Sequence, residues 1–81
     1  MTKRPELFVN FKYTYKIGQN YFDSEESTIL EWNKPIRTEE DLYDLQKWIA
    51  CWKKGINPDK DYKTRDTGIH VIIKNFRRVE D

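Results

Sequence analysis

The chain is predicted to be an α+β domain: a three-stranded antiparallel sheet in the order 2-1-3, connected β-β-α-β, with one amphipathic helix packed on one face. Three observations predict it. Residues 7–17 alternate between an apolar side and a mostly polar one. Residues 38–55 carry a start signal, an apolar stripe and a stop signal for one helix. A β-branched run near the end supplies a third strand.

In the first strand Leu7, Val9, Phe11, Tyr13, Tyr15 and Ile17 lie on one side, and Phe8, Asn10, Lys12, Thr14 and Lys16 on the other. Such a period of two describes a sheet with one dry and one wet face, the usual condition of antiparallel pairing. Gly18-Gln19-Asn20 supplies turn chemistry. Tyr21 and Phe22 start the return, Asp23-Ser24-Glu25-Glu26 reads as a loop or bulge within it, and Thr28–Trp32 is the second strand proper. Leu30 and Trp32 are expected inside, Ile29 and Glu31 outside. Pro35 follows the strand, where a residue with no N–H does no harm to the ladder.

Thr38 is a good N-cap, with Asp41 three residues on as an imperfect capping box. Glu39, Glu40 and Asp41 complement the helix dipole. Leu42, Leu45, Ile49 and Trp52 recur on one helical face, Trp48 borders it, and Gly55 suits the position after the last turn. A helix over 39–54 follows. Trp32, Trp48 and Trp52 are expected in the core, and Glu39, Glu40 and Asp44 on a solvated outer face. Residues 56–67 form a polar loop with a turn at Asn57-Pro58-Asp59, and Gly68–Phe76 is the third strand. Pairing the third strand with the first keeps sequential elements adjacent and makes the long apolar strand central.

Eighty-one residues fit one domain, 1–81, with residues 1–5 expected to fray. The core is modest, but twelve aromatic residues can each bury about 150–250 Å². The net charge is +1, distributed as +3 over residues 1–20, −6 over 21–45 and +4 over 46–81. Such an asymmetry bears on partner choice rather than on fold. One cysteine, Cys51, excludes an internal disulfide and hence the stapled secreted scaffolds. The opening residues lack a signal-peptide apolar run, and no stretch approaches the ~18 apolar residues of a membrane span. A cytoplasmic protein without membrane association is expected.

The chemistry-bearing residues argue against an enzyme. One Cys and one His cannot build a zinc site, and Asp23, Glu25 and Glu26 lack the spacing of a calcium loop, so no metal or cofactor is expected. Cys51 and His70 are the one conceivable nucleophile–base pair. Cys51 sits mid-helix, away from the helix N-terminus that lowers a thiol pKa, and reads as a small half-buried residue. Gly18, Gly55 and Gly68 mark element boundaries and build no phosphate loop.

Two surfaces stand out as candidate contact sites. The first is the open sheet face. If Ile69, Val71 and Ile73 face the helix, then His70, Ile72, Lys74, Phe76 and Arg78 point outward beside the polar side of the first strand. Phe8, Ile72 and Phe76 would then form an apolar patch among Lys12, Lys16, Lys74 and Arg78. Rings among bases suit single-stranded nucleic acid, and equally an acidic protein surface. The second is the hairpin end. A 16-residue helix spans ~24 Å, whereas residues 7–17 span ~36 Å. Tyr13, Tyr15, Tyr21 and Phe22 are therefore expected to be partly uncovered, and exposed aromatic patches mark interaction sites. The 56–67 loop, a curled sheet or a homodimer would each hide them.

The segments Leu-Phe-Val-Asn-Phe-Lys-Tyr-Thr-Tyr, Lys-Pro-Ile-Arg-Thr-Glu-Glu-Asp-Leu, Leu-Gln-Lys-Trp-Ile and Val-Ile-Ile-Lys-Asn-Phe-Arg-Arg together give a pattern. It resembles a group of small uncharacterised proteins encoded by phages and prophages of Gram-positive bacteria. The resemblance covers most of the chain and carries no active-site residues. It implies action in the host cytoplasm, with a host protein, in some cases part of a defence system, as the bound and inhibited partner. The expected function is thus a non-enzymatic binding protein of that kind; the alternative is a small single-stranded nucleic-acid binder using the basic and aromatic sheet face.

Overall fold

A computed structural model describes residues 5–58 and 60–79. Residues 1–4, expected to fray, and Asp59 of the expected turn lie outside the described residues. The elements are β1 (Glu6–Ile17), β2 (Asn20–Glu31), α1 (Glu39–Lys54), a short 3-10 turn (Tyr62–Thr64) and β3 (His70–Arg78). The sheet is antiparallel in the order β2-β1-β3 with α1 on one face, as the sequence predicts. No helix among the described residues is long and apolar enough to cross a membrane.

β1 and β2 pair without interruption from Glu6↔Glu31 to Ile17↔Asn20. Gly18 takes φ +63°, and no other residue type among those described has positive φ. Glycine at the first of two loop residues is the signature of a type II′ turn, whose twist matches that of the strands. β2 therefore begins at Asn20, not Thr28, and residues 23–26 belong to the ladder, not to a loop. Their low intrinsic strand preference is offset by cross-strand partners: Lys12 opposes Glu25, and Thr14 opposes Asp23.

The helix spans the predicted residues. Thr38 Oγ1 accepts from the Asp41 N–H at 3.2 Å, and the Asp41 carboxylate accepts from the Thr38 N–H at 3.1 Å, so the capping box is complete. At the other end Gly55, at φ +86°, donates to Trp52 and Ile56 donates to Cys51, closing a Schellman motif. Leu7, Val9, Phe11, Leu45, Ile49, Ala50, Val71 and Trp32 fill the core.

The expected helix faces need three corrections. Trp52 is 41% exposed, because the helix ends there and its ring stacks only loosely on Trp48, 6.4 Å away. Cys51 is fully buried rather than half-buried, and Asp44 is buried rather than solvated. Both effects have one cause. The 56–67 segment folds back on the helix, and its 3-10 turn lays Tyr62 across Asp44 and Cys51.

β3 begins at His70 rather than Gly68, where φ +71° turns the chain away from the sheet. Its register slips by one residue between Asn10↔Asn75 and Phe11↔Ile73, leaving Lys74 as a bulge. A one-residue slip moves every later side chain to the other face. Phe76 and Arg78, expected on the open face, therefore lie on the helix side opposite Val9 and Leu7. The Arg78 guanidinium donates to the Trp32 and Lys34 carbonyls.

Candidate partner-binding site on the hairpin arm

β3 stops pairing at Thr14↔His70, so Tyr15–Ile17 and Asn20–Phe22 continue as a two-stranded arm. The described part of the molecule measures 48 × 25 × 24 Å, and the arm accounts for its length: 12 strand residues span ~40 Å, and the helix ~24 Å.

On the helix side, an aromatic row runs outward along the sheet. Phe11, Tyr13, Tyr15 and Phe22 follow one another at centroid separations of 5.8, 5.8 and 5.7 Å. Rings at such spacing contribute beyond their burial. Cover falls away along the row, from fully buried Phe11 to Phe22 at 43% exposure and the neighbouring Ile17 at 62%.

Where the helix ends, Lys53 closes over the row. Its ammonium lies 4.9 Å from the Tyr13 ring centre and 2.7 Å from Glu26 Oε2. The Glu26 contact holds the Lys53 ammonium charged to a pH above its ordinary range. Between the arm and the 67–69 segment lies a cleft of about 510 Å³, lined by Tyr13, Tyr15, Ile17, Lys53, Lys54 and Ile69 among others. Lys54 has no ion pair among the described residues. The cleft thus offers aromatic walls, an aliphatic tip and the Lys54 ammonium. It contains no nucleophile placed beside a base.

The hairpin-end residues divide between two faces. Tyr13, Tyr15 and Phe22 share the helix side. Tyr21, 72% exposed, lies on the opposite side with the Lys16 ammonium 5.5 Å from its ring centre.

The open sheet face gathers Phe8, Lys12, Lys16, Ile72 and Lys74, but not Phe76 and Arg78. Arg77 takes their place, with its guanidinium 5.3 Å from the Phe8 ring centre, and Ile29 flanks Phe8 on the other side. Neither residue stands among the sequence-derived site candidates: the bulge brings Arg77 there, and Ile29, expected on the outer side of the second strand, is set beside Phe8 by the β1–β2 register. The same face carries acids from β2. Lys12 lies 3.6 Å from Asp23, and Lys74 lies 2.7 Å from Glu25. The Thr14 hydroxyl and then Lys12 hold the Asp23 carboxyl below its ordinary pKa, and Lys74 does the same for Glu25. Two lysines of this face are therefore already matched by carboxylates.

A second polar cluster lies under the 3-10 turn. The Tyr62 hydroxyl donates to Asp44 Oδ1, and the Lys34 ammonium reaches both Asp44 Oδ2 (3.3 Å) and the Tyr62 oxygen (3.1 Å). Burial pushes the phenol's pKa up, and the hydrogen bond to Tyr62 raises that of Lys34. A protonated phenol beside a charged ammonium is no nucleophile, so the cluster acts as a clasp between loop and helix. Cys51 donates to the Tyr62 carbonyl at 3.7 Å from within the core, while His70 is exposed on the open side of the sheet. The sheet separates the two.

A scan against protein-family models finds no match to this chain, and comparisons with curated proteins and with solved structures find none either.

Proposed function

We propose that this chain is a non-enzymatic binding protein that acts by occupying a protein surface with its hairpin arm. One observation carries the reading: the arm extends beyond both the helix and β3, leaving Tyr15, Ile17 and Phe22 as a graded aromatic and aliphatic surface beside a cleft. Rigid aromatic side chains beside a cleft are the residue types that dominate protein–protein hot spots. Following the phage-protein resemblance, the partner is a host protein, and binding blocks its function in the host cytoplasm.

The single-stranded nucleic-acid reading has less support. Counterion release requires bases that are free to meet phosphates, and Lys12 and Lys74 already face carboxylates while Phe76 and Arg78 lie on the other side.

The test compares tagged protein with Tyr15→Ala and with Lys12→Glu/Lys74→Glu in lysate from a Gram-positive host, with folding checked by circular dichroism. The proposal requires a specific protein that is captured by the parent and the double variant and lost with Tyr15→Ala. Capture that survives Tyr15→Ala, or salt-sensitive oligonucleotide binding abolished by the double variant, refutes it.

A further inference from the structure

We infer that β2 is a self-pairing edge, along which a second copy of this chain adds to form a continuous six-stranded sheet.

Backbone direction is the first argument. The Trp32 N–H bonds the Pro5 carbonyl at 2.7 Å, and the Val79 N–H bonds the Glu6 carbonyl at 3.1 Å. Odd residues of β1 therefore bond toward β2 and even ones toward β3. In β2, Tyr21, Asp23, Glu25, Ser27 and Ile29 oppose even residues of β1, so each turns its N–H and C=O outward. Among the described residues, no backbone group meets them.

Apart from its acids, the strand lacks the usual protections of an exposed edge. It has no proline, lysine, glycine or bulge, and its 12 residues stay in one register throughout.

Charge selects the occupant. An acidic edge would ordinarily repel its own copy. Here Asp23 is held by Lys12, Glu25 by Lys74 and Glu26 by Lys53, all from the same chain. The charge along residues 23–26 is locally matched, so over that stretch a basic foreign strand gains little and a second β2 loses little.

An antiparallel pair with its two-fold axis at Glu26 keeps outward-facing residues opposite one another. It sets Phe22 against Leu30 of the copy, Ser24 against Thr28, Asp23 against Ile29 and Glu25 against Ser27. Like charges meet directly only at Glu26, which each Lys53 neutralises. Phe22 and Leu30 both lie on the helix side and are incompletely buried. Phe22 is shared with the proposed binding surface, but Tyr15, Ile17 and the cleft beside β1 stay open, so Tyr15→Ala tests that function without touching the dimer contact.

Sedimentation equilibrium up to about 1 mM protein, the weak end of useful affinity, tests the inference. A concentration-dependent dimer is expected. Ser27→Pro removes an outward N–H, leaves the backbone ladder to β1 intact and loses only the exposed Asn10 Nδ2–Ser27 Oγ bond; it should weaken dimerisation at least ~10-fold. Opposite Asp23 of the copy, Ile29→Glu should weaken association and Ile29→Lys should tighten it. Glu26→Cys should cross-link to its copy on oxidation, and Tyr21→Cys should not. A monomer at the highest concentration overturns the inference. So does a dimer indifferent to Ser27→Pro in a folded chain, or an equal response to Ile29→Glu and Ile29→Lys.

Discussion

Along β3 the ladder is interrupted at Lys74, and the helix reaches the strand: Gln46 Oε1 accepts the Ile73 N–H at 3.0 Å. Along β2 twelve residues run in unbroken register, and their outward groups meet no described backbone. Both strands flank the same central strand. The difference follows from where α1 lies. A strand beside a helix can borrow a side chain to close its edge, and a bulge can twist it out of line. A strand farther from the helix has only its own side chains for defence. In β2 those are acids whose charge is largely used up by lysines of the same molecule.

Proline substitutions give the sharpest separation of the two sides of β2. Thr28 bonds inward to β1 opposite buried Val9, so Thr28→Pro removes a ladder bond and orphans a buried carbonyl. A loss of about 2–3 kcal/mol is expected in urea unfolding. Ser27→Pro, one residue away, should cost the monomer less than about 1 kcal/mol, because its N–H faces outward. Equal costs would mean that the strand's inward and outward sides are misassigned.

Next in size is Gln46→Ala. It strips the Ile73 N–H of its acceptor and should cost about 1–2 kcal/mol. Hydrogen exchange at Ile73 should accelerate while exchange at Val71 does not. An unchanged rate at Ile73 would show that the helix does not guard this edge.

Thr38→Ala removes one half of the capping box and should cost about 1 kcal/mol, read as a shift in thermal midpoint. It weakens the helix that protects β3 without touching β2.

The smallest effect is that of pH on the β2 carboxylates. Asp23 and Glu25 are held below their ordinary pKa values. Their contribution is therefore present above the unfolded-state values near 4 and is lost as pH falls through the lowered ones. Lys12→Ala/Lys74→Ala should flatten that acid limb of the stability profile. At the alkaline end, Lys34 and Tyr62 are raised, so the clasp over the helix weakens as pH climbs through their shifted values above about 10.

The bounds of the helix are legible because every local cue agrees: cap, dipole charges, stripe and terminal glycine. Strand order followed from the long apolar side of β1. The extent of β2 was harder to see. Asp23, Ser24, Glu25 and Glu26 disfavour strands on their own and enter one through partners 9 to 15 residues away, such as Thr14 for Asp23 and Lys12 for Glu25. A signal did exist: a two-residue turn at Gly18-Gln19 sets Ile17 against Asn20 and carries pairing onward from there. The bulge at Lys74 left no comparable mark. Val71-Ile72-Ile73 gives no period of two, and the slip is decided by how the strand meets Asn10 and Phe11. Phe76 and Arg78 consequently leave the face where they are expected and Arg77 stands there instead, which changes part of the candidate sheet-face site. Asp44 was misplaced because its cover, Tyr62, comes from a loop with no periodicity to read.

Cys51 has no accessible surface, and the carbonyl above its sulfur belongs to Tyr62, the residue that also clasps Asp44 and Lys34. A thiol enclosed in this way meets a reagent only when the covering segment lifts. The speed at which an aromatic disulfide labels it under native conditions is therefore a clock for that single event, and a substitution that loosens the segment will be timed directly, without unfolding the chain.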